Sequence, residues 1–217
     1  MAFTPYNPDE AVQLHRQKLP HWRQWGRTYF VTSRLGDSVP KELSDAWRVG
    51  RDAWLHAHGI QDPSAIHTLP EEAQKEYHRE FTAKFHDLLD AGHGACVLAN
   101  PNCAEILIGK FKEGNGTAYH LDAWCIMPNH FHALVEPIGS QMLGAIVKQW
   151  KGGSAFLMNQ ILVRKGSIWQ AEPYDHIVRS EAQLDHFRRY ITNNPTKANL
   201  HSGFVVGMGV EKCSYGL

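Results

Sequence analysis

The chain has 217 residues, of which 43% are hydrophobic and 20% charged, with 22 Lys and Arg balanced by 22 Asp and Glu. That balance excludes a disordered chain, and the length suits one domain with a single substantial core, or one core with an insertion. No apolar run reaches the roughly 18 residues of a spanning helix, and the start "MAFTPYNPDEAVQLHRQ" lacks the basic and apolar regions of a secretion signal, so a cytoplasmic protein is expected.

Charge is unevenly placed along the chain. Residues 141–200 carry eight Lys and Arg against four acids, whereas residues 35–90 are acidic, a split that points to one basic face. The four cysteines (Cys96, Cys103, Cys125 and Cys213) form no C-x-x-C pair and match no zinc framework. They read as reduced thiols used as core filler.

Residues 28–34, "TYFVTSR", alternate in polarity and are rich in β-branched and aromatic side chains, which predicts a strand. Two helical patterns follow, "SVPKELSDAWRVGRDAWLHAHG" and "LPEEAQKEYHREFTAKFHDLLDAG". Each has a proline near its start, one apolar stripe and a closing glycine, as expected of surface helices inserted at about 41–92. "ACVLA" (95–99) predicts a short strand, and "CAEILIGKFKEGNG" (103–116) a helix ended by glycines. "AYHLDAWCIM" (118–127) and "HFHALVEP" (130–137) predict two strands joined tightly enough to form a hairpin. Residues 142–162 read as a helix that Gly152-Gly153 can bend, and 174–179 as a strand. The stretch 180–194 reads as a helix capped by Ser180 and stopped by Pro195. Without the insertion the order is strand, helix, strand, strand, helix, strand. That is the α+β, ferredoxin-like antiparallel sheet, with an appended C-terminal helix.

Two groups of residues carry chemistry. On a strand, His130 and His132 share a face about 7 Å apart, and Phe131 points to the other face, into the core. Neutral imidazoles so placed can chelate one divalent ion, although the triplet equally suits two hydrogen-bonded side chains on a half-exposed strand. It also suits a zinc hydrolase, but the nearby third His or Asp of such sites is missing. The second group is "RRYITNNPTKANL" (188–200). Tyr190 and Asn194 lie four apart on one helical face, one offering a nucleophilic phenol and the other a hard oxygen ligand. Arg188 and Arg189 flank the phenol and are candidates for phosphate contact.

Taken together, "WCIMPNHFHALVEP", "WKGGSAF" and "IWQAEPYDHIVRSEAQLDHFRRYITNNPTKANL" resemble the single-tyrosine transposases of the HUH superfamily, in particular the REP-associated tyrosine transposases. The resemblance runs from about Thr28 to Leu200, and Asn199 stands where the family often has Gly. It implies that Tyr190 is the nucleophile, that His130, His132 and Asn194 hold Mg²⁺ or Mn²⁺, and that single-stranded DNA beside a REP-like hairpin is cut through a 5′-phosphotyrosine. It further implies a bacterial, nucleoid-associated protein, monomeric or homodimeric. Lys148 and Lys151 are then candidates for backbone contacts and Trp169 and Tyr174 for base stacking. The competing readings are a catalytically silent hairpin-binding protein and the zinc hydrolase.

Overall fold

The computed structural model describes residues 3–16 and 20–216. Strands β1 (Gln13–Arg16) and β2 (Pro20–Arg23) form a small separate hairpin. The main sheet contains β3 (Tyr29–Arg34), β4 (Tyr119–Ile126), β5 (His130–Pro137), β6 (Tyr174–Ile177), β7 (Phe204–Met208) and β8 (Glu211–Gly216). Its order is β6-β3-β5-β4-β7-β8, with every neighbouring pair antiparallel. The first four positions of that order are the ferredoxin-like arrangement expected from the sequence, and β7–β8 extends its β4 edge.

Period-two alternation sorts the side chains between two layers. Val31, Phe131, Ala133 and Val135 face α4 (Pro101–Glu113) and α5 (Leu143–Ile161), where Leu107, Phe111, Val147 and Trp150 complete the larger core. Phe131 is fully buried there, worth about 2–3 kcal/mol in transfer alone. The opposite face carries Phe30, Cys125, Leu134 and Val206 beneath α6 (Glu181–Lys197), which contributes Leu184 and Ile191. A register shift in β4 between Leu121 and Trp124 keeps both on the α4–α5 side.

Several expectations need correction. Residues 95–99 form no strand, because Cys96 takes a left-handed φ of 49° and a 3₁₀ turn follows at Val97–Ala99. The second inserted helix is not regular. It runs as α2 (Glu71–Tyr77), a π-helical turn at His78–Ala83, and α3 (Lys84–Asp90), following α1 (Lys41–Ala57). Helix α5 continues through Gly152-Gly153; a Cβ at Gly153 would meet Lys110 Cε of α4 at 2.9 Å, the far end of a flexible side chain that can move aside. Pro195 does not stop α6 either. The helix runs to Lys197 and ends at Asn199, whose φ of 53° is the left-handed geometry of a helix stop. Ser180 caps the other end, accepting from the Gln183 amide at 3.2 Å. Cys103 and Cys125 are buried and Cys96 is half-buried, all three as free thiols, while the side chain of Cys213 lies outside the described residues. Among the described residues no helix is long and apolar enough to cross a membrane.

Candidate active site

The α6 face of the sheet brings the sequence-predicted residues together. His130 and His132 project from β5 as alternation requires, fully buried, with their Nε2 atoms 3.1 Å apart. The Tyr190 hydroxyl reaches from α6 to within 3.5 Å of His132 Nε2. Asn194, one helical turn later, is 1% exposed, and its Oδ1 is buried without a hydrogen-bond partner. Both elements are held by packing from their own sequence: Phe131 pins β5 from the far side, and Leu184 and Ile191 pin α6.

The surrounding groups fix which nitrogen of His130 carries the proton. Asn129 sits with its Nδ2 among three main-chain carbonyls, those of Ser38 (3.4 Å), Leu89 (3.2 Å) and His93 (3.1 Å). That environment sets the amide orientation, so Oδ1 faces His130 Nδ1 at 2.8 Å. An amide oxygen only accepts, hence His130 carries its proton on Nδ1 and turns a lone pair inward from Nε2. His130 Nε2 being an acceptor, His132 donates to it from Nε2 at 3.1 Å, and its Nδ1 accepts from the Thr32 hydroxyl at 2.7 Å.

One further group was missed by sequence reasoning. Asp90, at the end of α3 in the inserted region, places Oδ1 3.7 Å from His130 Nε2 and accepts from Asn194 Nδ2 at 3.4 Å. Lys197 bridges Asp90 and Asp87 at 3.3 and 2.7 Å. His86, also on α3, has its ring 5.7 Å from that of His132 and 5.5 Å from that of Tyr190. The only signal in the sequence was the spacing of His86 and Asp90, four apart on a helix, with nothing to indicate their partner. Asn129 adjoins the histidine pair directly and was legible as a turn residue only.

These surroundings favour an electron-rich, uncharged pair. Burial first, then His86, lowers the pKa of His130 to about 3. Burial followed by His130 holds His132 well below the ordinary range, and burial lowers His86 to about 4. Burial raises the Asp90 carboxyl, against the pull of Lys197. The Tyr190 phenol is pushed well up by burial and then by the negative charge of Asp90, while a hydrogen bond from Asn194 works the other way. The inward lone pair of His130 thus lies 3.7 Å from the Asp90 carboxylate oxygen, a pairing that suits a cation, with the buried, unpartnered oxygen of Asn194 on the neighbouring side chain. Among the described residues no three His, Cys, Asp or Glu side chains are arranged to hold a metal, so the amide oxygen of Asn194 is needed to complete a set. Two imidazoles and hard oxygens fit Mg²⁺ or Mn²⁺ chemistry better than a closed thiolate site.

The expected DNA-contact residues separate into distinct places. Tyr174 lies beside the site, its ring 6.1 Å from His86. Arg189 is exposed on α6. Arg188 is instead committed to Asp122 of β4, donating from Nε at 2.9 Å and Nη2 at 2.7 Å, and clamps α6 to the sheet. Trp169 is a core residue, not a stacking platform: it is 5% exposed, donates to Ser154 Oγ at 3.0 Å and packs edge-on to Phe131 at 5.5 Å. Lys148 and Lys151 belong to α5, on the face away from the histidines. Lys148 is exposed there, whereas Lys151 donates to the carbonyls of Gln170 and Ala171 at 2.6 and 2.7 Å, and burial lowers its pKa to about 8.

Comparison with known proteins adds the following. Residues 102–194 match the profile of the family described as "Transposase IS200 like", a segment that contains His130, His132, Tyr190 and Asn194. An uncharacterised protein of Haemophilus influenzae (strain ATCC 51907 / DSM 11121 / KW20 / Rd) is 31% identical over 101 residues, covering 35% of this chain and 53% of that protein. The chain therefore spans about half the length of that relative. A solved structure of a REP-associated tyrosine transposase bound to a REP hairpin aligns over 84% of this chain and 74% of its own, at 16% identity and a TM-score of 0.45.

Proposed function

We propose that this chain, which matches the IS200-like transposase profile over residues 102–194, is a metal-dependent single-stranded DNA endonuclease and strand transferase that acts beside DNA hairpins through a 5′-phosphotyrosine. One observation carries the reading: a phenol stands 3.5 Å from a pair of imidazoles that meet at 3.1 Å, beside an unpartnered amide oxygen. Burial holds the Tyr190 phenol neutral at rest, so it needs positive charge nearby to become a nucleophile. Mg²⁺ or Mn²⁺ bound by His130, His132 and Asn194 would supply that charge and polarise the scissile phosphate.

The residues of the chain do the rest. Asn129 holds His130 in the ligand tautomer, and Thr32 holds the His132 ring. Helix α6 presents Tyr190 and Asn194 on one face, so nucleophile and ligand move as a unit. In the step itself the Tyr190 Oη–P bond forms and the P–O3′ bond breaks. The phenolic proton is balanced by the one that the freed 3′-hydroxyl gains. The ester conserves the bond, so another 3′-hydroxyl can reverse the step and join strands.

The test is a pool of 3′-labelled single-stranded hairpins incubated with wild type and with Tyr190→Phe, with Mn²⁺ or with EDTA, and resolved on a denaturing gel. Loss of one oxygen scarcely changes packing. The expected result is a protein-linked band for wild type with Mn²⁺ only. A band of equal strength with Tyr190→Phe or under exhaustive chelation would overturn the assignment, as would cutting by both proteins with no adduct, which is the outcome a hydrolase gives.

A further inference from the structure

Beside the site lies a cavity of about 340 Å³, enclosed by the inserted helices on one side and by β3 and β6 on the other. That volume falls in the range of pockets that bury small organic ligands, about 300–1,000 Å³. One wall is a pair of packed rings flanked by two cations. The Arg34 guanidinium lies over the Phe85 ring at 5.7 Å, Phe85 meets Trp47 at 4.7 Å, and Arg51 lies over Trp47 at 5.0 Å. Tyr174 and His86 form part of the lining too, and His86 is also in contact with Tyr190.

Arg34 and Arg51 differ in their pairing. Arg51 is bonded to Asp52. Arg34 is half-buried and among the described residues hydrogen-bonds only to neutral oxygens, the Leu35 carbonyl and Ser38 Oγ, so its charge is left for an anion. Its position is informative. In the β3–β5 register Arg34 is opposite His130 and Thr32 is opposite His132, and both side chains lie on the α6 face. An anion at Arg34 is therefore one strand away from the imidazole pair. Planar aromatic walls with an unneutralised guanidinium at the end nearest the reaction centre suit a nucleobase attached to a phosphate.

From this geometry we infer that the cavity takes one unstacked base of the substrate strand, from a nucleotide next to the scissile phosphate, with that nucleotide's own phosphate against Arg34. The inference rests on the function proposed above and makes the helical insertion a reader of sequence at one position. Stacking on aromatic side chains and edge contacts would select the base, while the rest of the strand is held through its backbone.

The experiment uses full-length protein in a Tyr190→Phe background, so that DNA stays intact, and measures hairpin binding by fluorescence anisotropy. The probe is the hairpin on which the wild-type adduct maps or, if wild type forms no adduct, the tightest binder in the pool. An abasic residue is placed in turn at each position flanking the cut or the hairpin foot. One position should weaken binding about tenfold. At that position alone the abasic change should cost Trp47→Leu or Phe85→Leu protein less than twofold, since the wall is already gone. Two variants are used so that misfolding of one leaves the test standing. Arg34→Gln should in turn be insensitive to a methylphosphonate at the same nucleotide. Additive losses at every position overturn the inference. So does displacement of the hairpin by micromolar free deoxynucleoside monophosphate, which would reassign the cavity to a soluble nucleotide. Absence of an adduct with preserved coupling defeats the catalytic reading and not this one. A pool in which nothing binds overturns both.

Discussion

Replacing Asn129 with alanine tests the site through a residue that touches no substrate. Its amide contributes two N–H groups shared among the carbonyls of Ser38, Leu89 and His93, and its oxygen accepts from His130 Nδ1. Truncation leaves a buried imidazole N–H and at least one buried carbonyl without partners. At about 1–3 kcal/mol for each unsatisfied group, and with Leu89 O still taking the Gly92 amide, the expected loss is about 2–4 kcal/mol. Urea unfolding should show a lower midpoint with an unchanged slope. The proton on His130 also becomes free to move to Nε2, which turns off the inward lone pair. Mn²⁺ affinity, read by electron paramagnetic resonance of the free ion, should fall about 10–100-fold. Asn129→Asp keeps an acceptor for His130 but sets a carboxylate among carbonyls, and should be at least as unstable. An Asn129→Ala protein that unfolds at the wild-type midpoint and binds Mn²⁺ as tightly would refute the tautomer argument.

Two further outcomes concern stability. Gly207 of β7 is paired with Trp124, and a Cβ there would overlap that indole and crowd the Glu211 carbonyl, so Gly207→Ala should cost about 1–3 kcal/mol by thermal melting; an unchanged melting temperature would show that the strand has room to shift. Burial lowers His86 and His176 to about 4, from about 6.5 unfolded, so below pH 6.5 the unfolded chain takes up protons that the fold refuses. Stability should therefore be fully present above about pH 6.5 and decline towards pH 4, with Asp90, raised by burial, opposing this in part; a melting temperature constant over that window would contradict the buried, neutral state of these rings.

The sheet was legible because each of its first four strands has a local signature and because the two histidines sit at the spacing that strand alternation requires. Tyr190 and Asn194 were legible for the matching reason on a helix. The hairpin of β7 and β8 was not, since "FVVGMG" is short and holds two glycines, and its pairing with β4 is a tertiary fact. Trp169 illustrates a different limit. An aromatic residue near a basic segment reads the same whether it faces solvent or the core, and only the Ser154 hydroxyl beneath it decides. Arg188 likewise gives no sign of Asp122, 66 residues earlier. Asp90 and His86 escaped notice because the insertion looked like decoration, whereas it folds back over the face that carries the histidine pair.

The closure of that face has a consequence for how a substrate arrives. His130 and His132 are 0% exposed, so even water does not touch them, and a phosphodiester is far larger than water. Helix α3 must yield before any strand reaches the pair. Among its ties to α6, beside the Asn194–Asp90 hydrogen bond and the His86–Tyr190 ring contact, is Lys197, whose partner Asp87 is itself exposed, a contact of the kind worth about 0–1 kcal/mol. A polyanion is a natural competitor for that lysine. On the function proposed above, the DNA that needs the door open would thus bring the charge that loosens its latch, and raised salt should weaken both the latch and the visitor's grip on it.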